Sequence, residues 1–229
     1  MKNILLIGGS HGIGLSIVNE LKETHKIFVA SRTADSITHK NITHISFDAI
    51  KDELDVTKLP ENLDGFVYCP GSINLKPFKM MGLDTIKEDM EINFFALVKV
   101  VKTVISKMRE GSSMVFFSTI AVGTGMPFHT SVSAAKGAIE GFAKSMAAEY
   151  APKIRINVIA PSLVDTPLSS RLLNNDKKRD AMGERHPLKR VGTSEDISNS
   201  AIFLLSDKST WITGQIIGID GGLSTLNIN

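Results

Sequence analysis

The stretch 3–21, NILLIGGSHGIGLSIVNEL, limits the fold more than any other part of the chain. Ile4, Leu5, Leu6 and Ile7 make a continuous apolar run, as expected of a parallel strand buried on both faces. Gly8, Gly9, Gly12 and Gly14 then break the run, and Leu15, Val18 and Leu21 recur at helical spacing behind them. A helix therefore starts inside the glycine turn, with its first amides facing whatever lies above the strand. That arrangement suits a phosphate, although a glycine turn alone also occurs without a ligand, so later residues have to decide.

Further apolar runs at 27–30, 42–47, 63–69, 112–118 and 154–159, and a last one within 214–222, read as strands. The segment 51–59 leaves room for only a brief helix. Longer helical patterns lie at 83–109, where Ile86, Met90, Phe94, Leu97, Val101 and Ile105 recur every three or four residues, up to Tyr150, and at 194–205. Strands alternating with helices and no internal repeat predict an α/β fold, a single doubly wound domain over 1–229 with about seven parallel strands and helices on both faces. The polar stretch 167–190 follows a strand's carboxyl end and is expected to form a substrate lid.

Composition excludes several functions. The 229 residues carry 26 Lys plus Arg against 24 Asp plus Glu, so a net charge of +2 offers no electrostatic case for nucleic acid or an anionic membrane. No apolar run approaches the roughly 18 residues of a membrane span. The single cysteine, Cys69, rules out an internal disulfide, and the six histidines lack metal-ligand spacing, so no metal is expected. His39 and His44 read as surface or loop residues. With a strand at the very start, no signal peptide is expected and the cytoplasm is the expected location.

Gly8, Gly12, Ile13 and Gly14 follow a T-G-x-x-x-G-x-G pattern, with Ile7 in place of the threonine. Gly71 ends Tyr68-Cys69-Pro70-Gly71 where the pattern has N-N-A-G, and Pro161-Ser162-Leu163-Val164-Asp165-Thr166 follows P-G-x-x-x-T with Ser162 in place of glycine. Over residues 3–222 the chain thus resembles the short-chain dehydrogenase/reductase family. The resemblance implies a nicotinamide cofactor on Gly8, Ser10, His11, Gly12, Ile13, Gly14, Ser31, Asp48, Gly71, Pro161 and Thr166, with Asp48 at the adenine and Thr166 at the carboxamide. Arg32 ends the second strand where dinucleotide folds place an acid for NAD or an arginine for a 2′-phosphate, and no acid precedes Asp35, so NADP(H) is expected.

The family reduces carbonyls with a serine, a tyrosine and a lysine four residues after the tyrosine, assisted by an asparagine that holds a water. Here Lys136, Thr119 and Asn93 match three of these positions, and Lys136 would also bind the nicotinamide ribose. Val132 stands at the fourth. Ser133 lies near the Lys136 face but is a poor acid. His129, seven residues before Lys136, returns to nearly the same side of a helix, and it or a water linked to Asn93 is the expected proton donor.

These features predict an NADP(H)-dependent reductase of an enoyl thioester or an unusual carbonyl. The alternative is a non-catalytic NADP(H)-binding protein that serves as a sensor or partner subunit. The expected partners are a small-molecule substrate and further copies of the chain, as a homotetramer or dimer, because the helices at 83–109 and 130–150 resemble those that pair between family subunits.

Overall fold

A computed structural model describes residues 1–34 and 37–227. Asp35, the first acid after Arg32, lies outside the described residues. The apolar runs become β1 (Asn3–Ile7), β2 (Lys26–Ser31), β3 (Ile42–Ser46), β4 (Leu63–Tyr68), β5 (Met108–Phe117), β6 (Ile154–Pro161) and β7 (Ile216–Ile219). They form one seven-stranded sheet in the order β3-β2-β1-β4-β5-β6-β7, every neighbouring pair parallel. The order reverses between β1 and β4, and in such sheets the crevice above that point binds ligands.

The helices are α1 (Gly12–Leu21), α2 (Leu83–Met90), α3 (Ala96–Val104), α4 (Ala121–Thr124), α5 (Thr130–Tyr150), α6 (Asp176–Glu184) and α7 (Ser194–Leu205). Alternation along β1 divides the core. Leu5 and Ile7 face a cluster with Leu97, Val100 and Val104 of α3 and Ile139 and Ala143 of α5. Ile4 and Leu6 join Ile17, Val18 and Leu21 of α1 and Ile197, Ala201 and Leu204 of α7. Each such aliphatic side chain contributes about 1.5–3 kcal/mol on burial, so the continuous apolar runs are what hold the sheet between its two helix layers. At Gly65 a methyl group would stand 2.7 Å from Ile4 Cδ1 and 2.9 Å from Leu205 Cδ2, so glycine in mid-strand lets α7 lie close to the sheet.

Two sequence expectations change. The segment 83–109 is not one helix: a π-helical turn at Glu91–Phe95 separates α2 from α3, and β5 already begins at Met108. Asn93 Nδ2 donates to the Asp89 carbonyl at 2.8 Å, occupying the i−4 acceptor, while the Ala96 amide bonds the Glu91 carbonyl five residues back. The side chain competes with the backbone and the turn widens. Secondly, α5 begins at Thr130, so His129 caps the helix rather than extending it. The short segment after β3 holds a single 3-10 turn, Val56–Lys58, and His44 lies within β3, its Nε2 3.1 Å from Ser31 Oγ. Among the described residues no helix is long and apolar enough to cross a membrane, and no cluster of three metal-binding side chains occurs.

Candidate active site

Above the carboxyl ends of the strands opens a cavity of about 980 Å3. Its nucleotide end is built by the glycine turn. Gly8 and Gly12 have φ of 78° and 51°, the left-handed region that glycine enters freely, and a methyl on Gly14 would lie 2.5 Å from the Gly8 carbonyl oxygen. The turn is therefore closed to side chains. His11, the N-cap of α1, makes no side-chain bond to the helix amides, and the first turn holds no acid. Free amides at the positive end of the helix dipole favour an anion there.

The end of β2 closes the same region. Thr33 Oγ1 donates to Ser10 Oγ at 3.3 Å, Ser10 Oγ lies 3.0 Å from His11 Nδ1, and Ser31 Oγ donates to the Thr33 carbonyl at 2.7 Å. Arg32 is exposed and lines the cavity beside them. Across from it, Asp48 Oδ1 accepts the Ile50 amide at 3.0 Å and the Lys51 amide at 3.3 Å. The Ile50 bond foremost, helped by Lys51 and Arg32, holds the Asp48 carboxyl below the usual range.

At the other end, Gly71, Thr119, His129, Val132 and Lys136 line one wall. Lys136 Nζ donates to the Phe117 carbonyl at 3.0 Å. Burial pushes its ammonium down to about 8, with Cys69 and Asp89 pulling the other way. A methyl on Gly71 would stand 2.9 Å from Asn93 Oδ1 and 3.3 Å from Lys136 Nζ, so both groups converge on this glycine. Asn93 itself is fully buried beneath the wall, and its Oδ1 has no hydrogen-bond partner. His129 Nδ1 lies 2.7 Å from the Pro127 carbonyl. The Ser133 hydroxyl is buried without a partner and does not line the cavity, which removes it from the site.

The end of β6 completes the enclosure. The Pro161 carbonyl accepts the Ile120 amide at 3.1 Å, joining this strand end to the one that carries Thr119. Thr166 packs on the glycine turn, 3.3 Å from where a Cβ on Gly12 would be. Residues 167–190, with α6, supply Leu168, Leu172, Met182 and His186 to the cavity wall, the position expected of the lid.

A family profile described as Enoyl-(Acyl carrier protein) reductase matches residues 10–224. The chain belongs to the short-chain dehydrogenase/reductase family. This short-chain dehydrogenase/reductase is 30% identical over 243 residues to the 3-oxoacyl-[acyl-carrier-protein] reductase FabG of Chlamydia trachomatis, covering 97% of each chain. A short chain dehydrogenase family protein from Francisella tularensis superposes with a TM-score of 0.90 at 28% identity, over 99% of this chain and 100% of that one. ElxO with NADP bound gives 0.85 at 25% identity, over 98% and 99%. The chain is thus an oxidoreductase of a family that binds nicotinamide cofactors. The uncapped α1 amides and the closed glycine turn fit such a group.

The short-chain dehydrogenase/reductase site also holds residues that no sequence motif marks. Asp89, fully buried, accepts hydrogen bonds from Ser72 Oγ, from Asn74 Nδ2 at 2.8 Å and from Ser131 Oγ. Asn93 Nδ2 donates to Ser72 Oγ at 3.0 Å, so one carboxylate binds the loop after β4, the π turn and the start of α5. The available signal is a second polar residue one helical turn before Asn93 on an otherwise apolar face. Ser162 and His186 form another such pair, 24 positions apart.

Proposed function

We propose that this chain is an NADP(H)-dependent oxidoreductase that reduces a carbon–carbon double bond conjugated to a carbonyl, as in an enoyl thioester. The observation that carries this reading is Val132 in the cavity wall, one helical turn before Lys136 and lining the same cavity as Thr119. Valine has no proton to give, which disfavours reduction of an ordinary ketone, where the oxygen must be protonated. Hydride delivery to carbon instead leaves an enolate, which needs donors around its oxygen. The description of the matching family and the FabG relatives, named for acyl-carrier-protein substrates, support an acyl thioester.

When bound, the cofactor supplies the hydride. Gly8, Ser10, His11, Gly12, Ile13 and Gly14 would hold its phosphates, Asp48 its adenine, Gly71 and Lys136 the nicotinamide ribose, and Pro161 and Thr166 the carboxamide. Arg32 with Ser31 would take a 2′-phosphate through charge-assisted bonds, and ElxO, which binds NADP, supports that choice. Thr119 donates to the substrate oxygen. A carbonyl only accepts, so His129 Nδ1 carries the proton in its contact with Pro127. Its Nε2 becomes a second donor toward that oxygen on protonation, with a water linked to Asn93 as the other source. Residues 167–190 close over the substrate, and the protein acts in the cytoplasm as a homotetramer or dimer.

Titration with both cofactors and NADPH oxidation across a panel of enoyl thioesters and ketones tests this reading. NADPH should bind more tightly than NADH, and Arg32→Ala should remove most of the difference. His129→Ala should slow turnover by about 10²-fold without changing NADPH affinity. Equal or tighter NADH binding overturns the cofactor choice. Cofactor binding without oxidation by any of the panel substitutes a non-catalytic binding protein.

A further inference from the structure

Ser162 and His186 meet at the cavity wall and both line it. Ser162 Oγ lies 2.9 Å from His186 Nε2, and His186 Nδ1 lies 2.9 Å from the Met182 carbonyl. Because the carbonyl can only accept, Nδ1 carries a proton, Nε2 of the neutral ring is a lone pair, and Ser162 donates to it. A nucleophile-type hydroxyl held by an imidazole whose far nitrogen is pinned is the arrangement that moves protons in many sites. In the short-chain dehydrogenase/reductase pattern this position is glycine, so the hydroxyl is a feature of this chain.

The surroundings hold His186 in place. The imidazole is only 3% exposed, and a methyl on the neighbouring Gly221 would touch its Cδ2 at 3.7 Å. Asp220 is next in the same turn. Burial alone would raise its carboxyl, but bonds from the Ser224 hydroxyl and the Ser224 and Gly222 amides outweigh it, with His186 adding to them, and the carboxyl stays below its usual range. When His186 is protonated, Nε2–H donates to Ser162 Oγ and the serine hydrogen is released into the cavity.

We propose that Ser162, backed by His186, delivers the proton to the α-carbon of the reduced substrate. The proposal rests on the enoyl reading above. Hydride arriving at the β-carbon moves the double-bond pair into an enolate. That pair then forms the new Cα–H bond with the Ser162 proton, the Ser162 O–H bond breaks, and Ser162 takes the Nε2 proton of the imidazolium. His186 ends neutral and regains its proton from solvent. The work is divided between neighbouring strand ends, with Thr119 after β5 at the oxygen and Ser162 after β6 at the carbon. Ser162 is a catalytic residue in this scheme, and His186 acts through it.

The experiment follows reduction of a trans-2-butenoyl coenzyme A thioester, with NADPH in D2O to label Cα and with NADPH deuterated on its transferred hydrogen in water to label Cβ, and product stereochemistry at both carbons is read by NMR. Wild type should place deuterium on one face of Cα. Ser162→Gly, which restores the family residue, and His186→Gln should lose that facial preference and slow at least tenfold, while hydride still arrives on one face of Cβ. Single-face deuteration at the wild-type rate in both variants overturns the proposal alone. Failure of wild type to oxidise NADPH with the thioester overturns the enoyl reading and the proposal with it. In the ligand-free protein, long-range 1H–15N spectra should show His186 protonated at Nδ1 with an Nε2 signal that moves in Ser162→Gly, whereas a neutral ring protonated at Nε2 overturns the pairing.

Discussion

Lys136 sets the balance between folding and cofactor binding at one side chain. Its ammonium titrates at about 8 in the folded chain because of burial, against an ordinary value of 10.5. Below pH 8 the folded and unfolded chains both hold the proton. Between these values the unfolded chain binds more protons, so this group's contribution to stability rises with pH as the burial of charge is relieved. Cofactor binding has the opposite trend, since a neutral amine loses charge-assisted bonds. From pH 7.5 to 9.5 the ligand-free wild type should therefore gain melting temperature relative to Lys136→Met, while its NADPH affinity falls by about tenfold. Thermal melts and fluorescence titrations on both proteins measure this, and a pH-independent difference in melting temperature contradicts the assignment. That Lys136, Thr119 and Arg32 line the cavity was legible in the sequence, the first two through the family's motif spacing and Arg32 through the end of a recognisable strand. Asp89 with Ser131, 42 positions apart, and Ser162 with His186 were not, because only the folded sheet brings them together.

At the level of elements, apolar periodicity located all seven strands and the helix of residues 194–205 within a residue or two at most ends. It failed between residues 83 and 109, where α2, the π turn and α3 share one apolar stripe. Hydrophobic spacing records which face is buried, and a one-residue widening of the turn leaves that face nearly intact. The polar network does the rest. Asp89 accepts three side-chain donors, two from the loop after β4 and one from α5, so Asp89→Ala leaves all three without their acceptor. The substitution should lower unfolding free energy by about 2–3 kcal/mol in urea titrations, through a buried group left unpaired. A change below about 0.5 kcal/mol would mean that the loop and helices hold together without it.

For the whole molecule, α2 and the turns on either side of it present Phe78, Met80, Leu83 and Phe95 to solvent. Apolar surface of this extent on a monomer is a reason to expect symmetric pairing, and a two-fold contact uses the same patch twice. Light scattering at micromolar concentration should give the mass of two or four chains, and Phe95→Glu should shift the population toward smaller species. A monomeric wild type at that concentration refutes the assembly. Doubly wound architecture was readable from alternation alone, whereas assembly state was not, because the same apolar spacing marks a helix covered by its own sheet and one covered by a second copy.

The single thiol of the chain lies under the glycine turn. Cys69 lines the cavity, its Sγ stands 3.2 Å from where a Cβ on Gly14 would be, and burial pushes the thiol up to about 12. Protonated and only partly exposed, it reacts slowly with alkylating reagents, which are attacked by the thiolate. Labelling with iodoacetamide therefore becomes a one-site clock for breathing of the nucleotide turn. Its rate in the ligand-free protein counts how often the turn opens, and saturating NADPH should slow it in proportion to occupancy, which mass spectrometry follows without any substrate in hand.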